Sequence, residues 1–84
     1  MNVENMVSNR GNYIPNQFII TDDEGRDIFQ SYETIIAIKD KGKITLDNNA
    51  LEYSRTTSKY LYLFLGMNRK EIIKDKNITY ECLN

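Results

Sequence analysis

Eighty-four residues, 40% hydrophobic and 27% charged, suit one small folded domain rather than a disordered chain. A domain of this size buries only about 60–65% of the surface its unfolded chain exposes, which leaves little room for a deep enclosed active site. Histidine is absent and the formal net charge is −1, so hydrolysis by a triad lacks its usual base, and the strongly basic footprint of many nucleic-acid-binding domains is missing.

In chain order, turn signals at short intervals predict a meander of antiparallel strands. Asn9-Arg10-Gly11-Asn12 separates an apolar segment, Val3 to Val7, from YIPNQFII. Pro15 has no amide donor, so its strand is expected to lie at an edge or to break there. Asp22-Asp23-Glu24-Gly25 separates QFIIT from RDIFQSY, and Asp40-Lys41-Gly42 separates TIIAIK from KITL. Gly42 is placed to take the positive φ of a three-residue hairpin loop with a bulge. Along that hairpin, alternation puts Ile36, Ile38, Ile44 and Leu46 on one face, with Thr34, Thr45 and the lysines on the other face and at the ends.

The stretch YSRTTSKYLYLFLG, residues 53–66, fits two periods. At period two it is a strand buried on both sides; at period 3.6, Thr57, Leu61, Phe64, Leu65 and Asn68 share one helix face, and Tyr60, Leu63 and Met67 share the next. The flanks decide for a helix over Arg55 to Leu65. Hydroxyls upstream are suited to cap the first turn, and Gly66 suits a left-handed stop. YLYLFLG then reads as helix core and terminator, without a functional role. Asn68 with Glu71 is a close variant of the capping box, which predicts a short second helix to about Asp75. ITYECLN alternates as a final strand returning to the sheet, with Ile78, Tyr80 and Cys82 on one side. The expected fold is α+β: a small antiparallel meander packed against two short helices, in the order β-meander, α, α, β.

Cys82 is the only cysteine, so no intrachain disulfide forms; it reads as a small buried residue rather than a nucleophile. No apolar run of signal-peptide or membrane-spanning length is present, and the expected setting is reducing and cytoplasmic, with no membrane partner. Without a phosphate-binding glycine loop, a metal-ligand cluster or a CxxC pair, neither cofactor nor metal is expected, and no enzymatic activity.

Charge is divided along the chain. Residues 1–34 hold six acids against Arg10 and Arg26, about −4, and residues 35–84 hold nine bases against six acids, about +3. Asp22, Asp23, Glu24 and Asp27 cluster around one turn. They lack the spacing of a calcium loop and read as a solvated turn, or as phosphate mimics toward a basic protein partner. The bases Lys39, Lys41, Lys43, Arg55, Lys59, Arg69, Lys70, Lys74 and Lys76, with Tyr53 and Tyr60, would track a nucleic-acid backbone only if they converged on one face. At residues 54–58 four hydroxyls (Ser54, Thr56, Thr57 and Ser58) stand where a cap needs one. They either bind a partner's anionic group at the helix N-terminus or lock the preceding loop. The candidate partner-binding residues are therefore Asp22, Asp23, Glu24 and Asp27, together with Tyr53, Arg55, Thr56, Thr57 and Lys59.

At Asn16-Gln17-Phe18, Phe29-Gln30-Ser31-Tyr32, Leu46-Asp47 and YS-x-TT-x-KYL-x-x-FLG over residues 53–66, the sequence resembles a family of short bacteriophage and prophage proteins, one grouped only as a domain of unknown function. Leu51-Glu52 departs from the family pattern, where an aromatic and an acid are expected, so no role for that aromatic carries over. The resemblance implies a context and no reaction. It points to a phage-encoded binding protein that inhibits a host defence complex, as anti-CRISPR proteins do, by occupying its surface. A small nucleic-acid-binding regulator and a virion-assembly component are the alternatives, and the oligomeric state is left open.

Overall fold

The computed structural model describes all residues from Met1 to Asn84. Its six strands are β1 (Asn2–Val7), β2 (Tyr13–Thr21), β3 (Asp27–Ser31), β4 (Thr34–Asp40), β5 (Lys43–Asp47) and β6 (Thr79–Glu81). Helices α1 (Arg55–Leu65) and α2 (Arg69–Lys74) connect β5 to β6. The strands form one sheet in sequence order. β1 to β5 pair antiparallel, as the turn spacing predicts, whereas β6 lies parallel to β5. The two-helix crossover accounts for that change of direction, because a crossover over one face can return a strand parallel to the one it left.

Local chemistry sets the helix limits. Ser54 Oγ accepts from the Thr57 amide, and Gly66 takes φ +69° with its amide on the Tyr62 carbonyl. Asn68 and Glu71 form a complete capping box on α2. Helix α1 has no basic residue in its last turn; Lys39 of β4 supplies one from the sheet, its Nζ donating to the Phe64 carbonyl at 2.8 Å.

Both helices pack on the same face of the sheet. Phe29, Ile36, Ala37 and Leu46 from the strands meet Leu61, Phe64 and Ile72 from the helices, with the Phe29 and Phe64 rings stacked at 5.7 Å. Burial of a side chain such as Phe29, Leu46 or Leu61 is worth about 1.5–3 kcal/mol.

Three expectations are corrected here. First, Lys41 and Gly42 both have positive φ, +50° and +84°, and Asp40 pairs with Lys43, so the hairpin is a two-residue loop of the I′ kind without a bulge. Second, the β3–β4 register shifts after Phe29, which leaves Ile36 unpaired. That bulge puts Ala37, rather than Ile38, on the helix-covered face opposite Phe29 and Leu46, and turns Ile38 outward beside Ile28 and Thr45. Lys39 accordingly lies on the helix side. Third, Cys82 is exposed, because the last strand ends at Glu81. Pro15 behaves as expected: β2 pairs with β3 only from Gln17 onward, and the β1–β2 ladder breaks between Asn5 and Val7.

The face away from the helices carries two rows. One runs through directly opposed partners Val3, Ile20, Ile28, Ile38, Thr45 and Thr79. The other runs through Asn5, Phe18, Gln30 and Ile35. None of the large apolar residues in these rows packs against the core.

Candidate functional site

Helix α1 leaves one side uncovered by any other element. The β1–β2 turn, the loop before α1 and the α1–α2 corner rise around that side and enclose a groove of about 1130 Å³. Val7, Ile14, Leu51, Leu63 and Met67 form its aliphatic lining, and Tyr53, Tyr60 and Tyr62 add aromatic area. Its charged residues are Arg10, Arg55, Lys59 and Arg69, and no carboxylate lines it. None of these four cations is in an ion pair; the chain's three salt bridges involve only Met1, Asp22, Asp23, Glu24 and Arg26. Arg69 donates to the Leu51 carbonyl at 2.9 Å, which fixes it across the groove mouth, and Lys59 Nζ stands 5.5 Å from the Tyr60 ring centre.

The buried carboxylate Asp47, at the end of β5, holds one wall. Its Oδ2 accepts from the Tyr53 hydroxyl at 3.1 Å and from the Asn49 amide, and its Oδ1 accepts from the Leu83 amide at 3.0 Å and from the Asn84 side chain. The Leu83 amide, and then the other donors, outweigh the effect of burial and hold the carboxyl below its ordinary range. Burial first, and the bond to Asp47 second, push the Tyr53 phenol up, so it stays a neutral donor. One side chain thus ties the C-terminal residues, the end of β5 and a groove tyrosine together.

The candidate residues separate into distinct places. Tyr53, Arg55 and Lys59 line the groove. Thr56 is exposed at the start of α1 but outside the lining. Thr57 is buried, its hydroxyl 3.0 Å from that of Ser31 and 3.3 Å from that of Ser54. These hydroxyls join α1 to β3 and to the preceding loop, so two of the four hydroxyls, the Ser54 cap and Thr57, serve the fold.

The acidic residues stand beyond the far end of β2, eight positions past Ile14 and outside the groove lining. There Asp22 is consumed by its own turn. It accepts from the Glu24 and Arg26 amides and from Arg26 Nε, and the Arg26 main-chain bond leads the effects that lower its pKa. Arg26 is raised in turn, chiefly by its side-chain bond to Asp22. Asp23 meets the N-terminal ammonium and Asp27 accepts from Thr21. No group of three or more acidic or thiol side chains is placed to hold a metal ion.

The bases do not share one face. Arg55, Lys59 and Arg69 converge on the groove, while Lys39 is engaged with α1, and Lys41, Lys43, Lys70, Lys74 and Lys76 lie outside the lining. Sequence reasoning missed Arg10, Tyr62 and Leu63. Arg10 is isolated in a turn and gave no signal. Tyr62 and Leu63 were assigned to helix core, although the 3.6 period already turns Leu63 away from Leu61 and Phe64.

A family model, described as a family of unknown function (DUF8033), matches residues 1–80. The chain belongs to this DUF8033 family. No curated protein and no solved structure matches it. No helix in the DUF8033 chain is long and apolar enough to cross a membrane.

Proposed function

We propose that this DUF8033 chain is a non-enzymatic binding protein that seats an acidic, apolar segment of a partner protein in the groove beside α1. The observation that carries the reading is the lining itself: four unpaired cations, no carboxylate, and a mainly apolar wall between them. A partner carboxylate entering such a site meets opposite charge on every side, while its apolar side chains displace water from Leu51, Leu63 and Met67. Tyrosines supply contact area at low conformational cost.

Tyrosines among cations also suit single-stranded nucleic acid, where bases stack and phosphates pair. The aliphatic wall favours protein, because neither phosphates nor sugars gain from Val7, Ile14 or Leu51. The resemblance to phage proteins gives the narrower form of the proposal, in which the partner is a subunit of a host defence complex whose surface the chain occupies. Phage lacking the protein would then plate poorly only on hosts carrying that system, and equal plating on defended and undefended hosts would remove the narrower form alone.

The groove is tested with labelled probes: a peptide alternating Glu with Leu and Phe, the same peptide with Lys for Glu, and an oligothymidylate. The acidic peptide is expected to bind, and the variant carrying Arg55→Glu and Lys59→Glu to bind it at least tenfold more weakly, about 1.4 kcal/mol. Both residues are exposed on α1, and a glutamate at its start suits the helix dipole, so the fold should hold. Preference for the oligonucleotide, with affinity falling steeply as salt rises, would transfer the groove to nucleic acid. Equal binding of both peptides would refute the role of charge.

A further inference from the structure

The sheet has helices on one face only, and its other face is an apolar feature that the core and the groove leave unused. The row Val3, Ile20, Ile28, Ile38 crosses four adjacent strands without interruption and continues into Thr45 and Thr79, whose hydroxyls lie 3.1 Å apart. Phe18 and Ile35 extend it in the neighbouring row, between Asn5 and Gln30. Not one position in either row is charged, in a chain with 27% charged residues. Charge returns at both margins: Asp40 opposes Lys43 beside the hairpin, with Asp22 and Arg26 opposed at the end of the β2–β3 ladder, and Glu81 follows two residues beyond Thr79.

A sheet exposed to water on one side alternates apolar inward with polar outward. Here the outward positions of β2, β3 and β4 carry Phe18, Ile20, Ile28, Ile35 and Ile38, with Gln30 the one polar residue among them before the charged margin at Asp40, which approaches the pattern of strands covered on both faces. We infer that this bare face is a homodimer interface, on which a second copy of the chain stacks sheet against sheet about a two-fold axis.

The occupant follows from charge and size. A two-fold interface brings a surface against itself, so any net charge near the axis repels its own copy. A row without charge carries no such penalty, and the opposite signs of Asp40 and Lys43 make the rim self-complementary. An acidic or basic partner would find nothing on these rows to pair with. The molecule measures 34 × 30 × 21 Å, its two layers fitting the shortest dimension. The two longer dimensions limit what a stacked copy can cover to about 1,000 Å² in projection, of the order of the ~800 Å² per partner of a standard interface, with the uncharged rows at its centre and the charged margins at its rim. At its β1 end the row opens into a recess of about 530 Å³ lined by Val3, Glu4, Asn5 and Tyr13, with room for a partner's side chain and one carboxylate at its side. The groove beside α1 lies on the helix side, so this pairing leaves it open and stands or falls independently of the proposed function.

Sedimentation of the full chain between about 10 μM and 1 mM reads the association directly. The parent is expected to shift from monomer to dimer across that range, and Ile28→Lys, at the centre of the row, to remain monomeric. Because Ile28→Lys could also disturb folding, Val3→Lys is the second variant; Val3 is 56% exposed at the sheet edge, and its substitution should weaken dimerisation at least tenfold with the melting curve unchanged. Amide exchange of the dimer should slow at outer-face positions such as Ile20, Ile28 and Ile38. A parent that stays monomeric at the highest concentration overturns the inference. So does a dimer insensitive to Val3→Lys, or one whose protection maps to the β1 edge or the groove.

Discussion

Replacing Asp47 by Asn changes neither size nor shape, yet it should be among the most damaging single substitutions in this chain. The buried carboxylate accepts from four donors, two on each oxygen. A carboxamide satisfies one pair and turns its own NH₂ toward the other, leaving donors facing donors whichever way it flips. Hydrogen bonds to a charged group contribute about 1.5–3 kcal/mol each, offset in part by the desolvation that the neutral amide escapes, so the net loss should be about 2–4 kcal/mol. For a domain of this size total stability is about 4–13 kcal/mol, and the melting temperature should fall by about 10–25 °C. The pH dependence carries its own sign. The native carboxyl titrates below its ordinary value of 3.8, so its contribution is complete above about pH 4 and drains away as pH falls through the lower native value. Thermal and urea unfolding followed by circular dichroism should therefore show parent and variant converging as the solution is acidified below the ordinary carboxylate value of 3.8. A variant within about 0.5 kcal/mol of the parent at neutral pH, or a gap that persists unchanged into acid, would refute the reasoning.

Gln17 is fully buried opposite Ser31, and neither atom of its amide has a hydrogen-bond partner. Gln17→Met keeps the volume and removes the unmet polar group, so it should stabilise by about 1–3 kcal/mol in the same unfolding assay, and a loss of stability would show that the amide is satisfied in solution. Lys41 occupies a left-handed position that the I′ turn prefers to fill with Asn, so Lys41→Asn should add about 0.5 kcal/mol, read as a higher urea midpoint with unchanged slope. A lower midpoint would contradict the turn assignment.

How much of this was legible depends on whether the signal was local. Ser54, Gly66, Asn68 and Glu71 act within a few residues of themselves, and the limits of both helices follow from them alone. The β3–β4 turn was silent because Tyr32 and Glu33 are not turn formers. Tyr32 is held at φ +56° by contacts from outside the turn, its amide on the Asn16 carbonyl and its own carbonyl accepting from Gln30. A bulge is likewise invisible to alternation, so Ile38 was placed on the wrong face of its strand. In the candidate site, Tyr53, Arg55 and Lys59 were found from one segment. The groove they belong to needed Arg10, Leu51 and Arg69, which tertiary packing alone brings together. The acidic turn looked like a surface for a partner because composition cannot tell a free carboxylate from one, such as Asp22, that is already bonded to its own loop.

The groove beside α1 is where an acidic partner segment should dock. Amide chemical shifts of the labelled chain, followed as the Glu-Leu-Phe peptide is added, locate the contact residue by residue. The largest changes should fall on the groove, at Tyr53, Lys59, Tyr60, Leu63 and Arg69, and saturate together. Changes centred on Asp23, Glu24 and the β2–β3 turn, or scattered over the surface without saturation, would contradict the central claim.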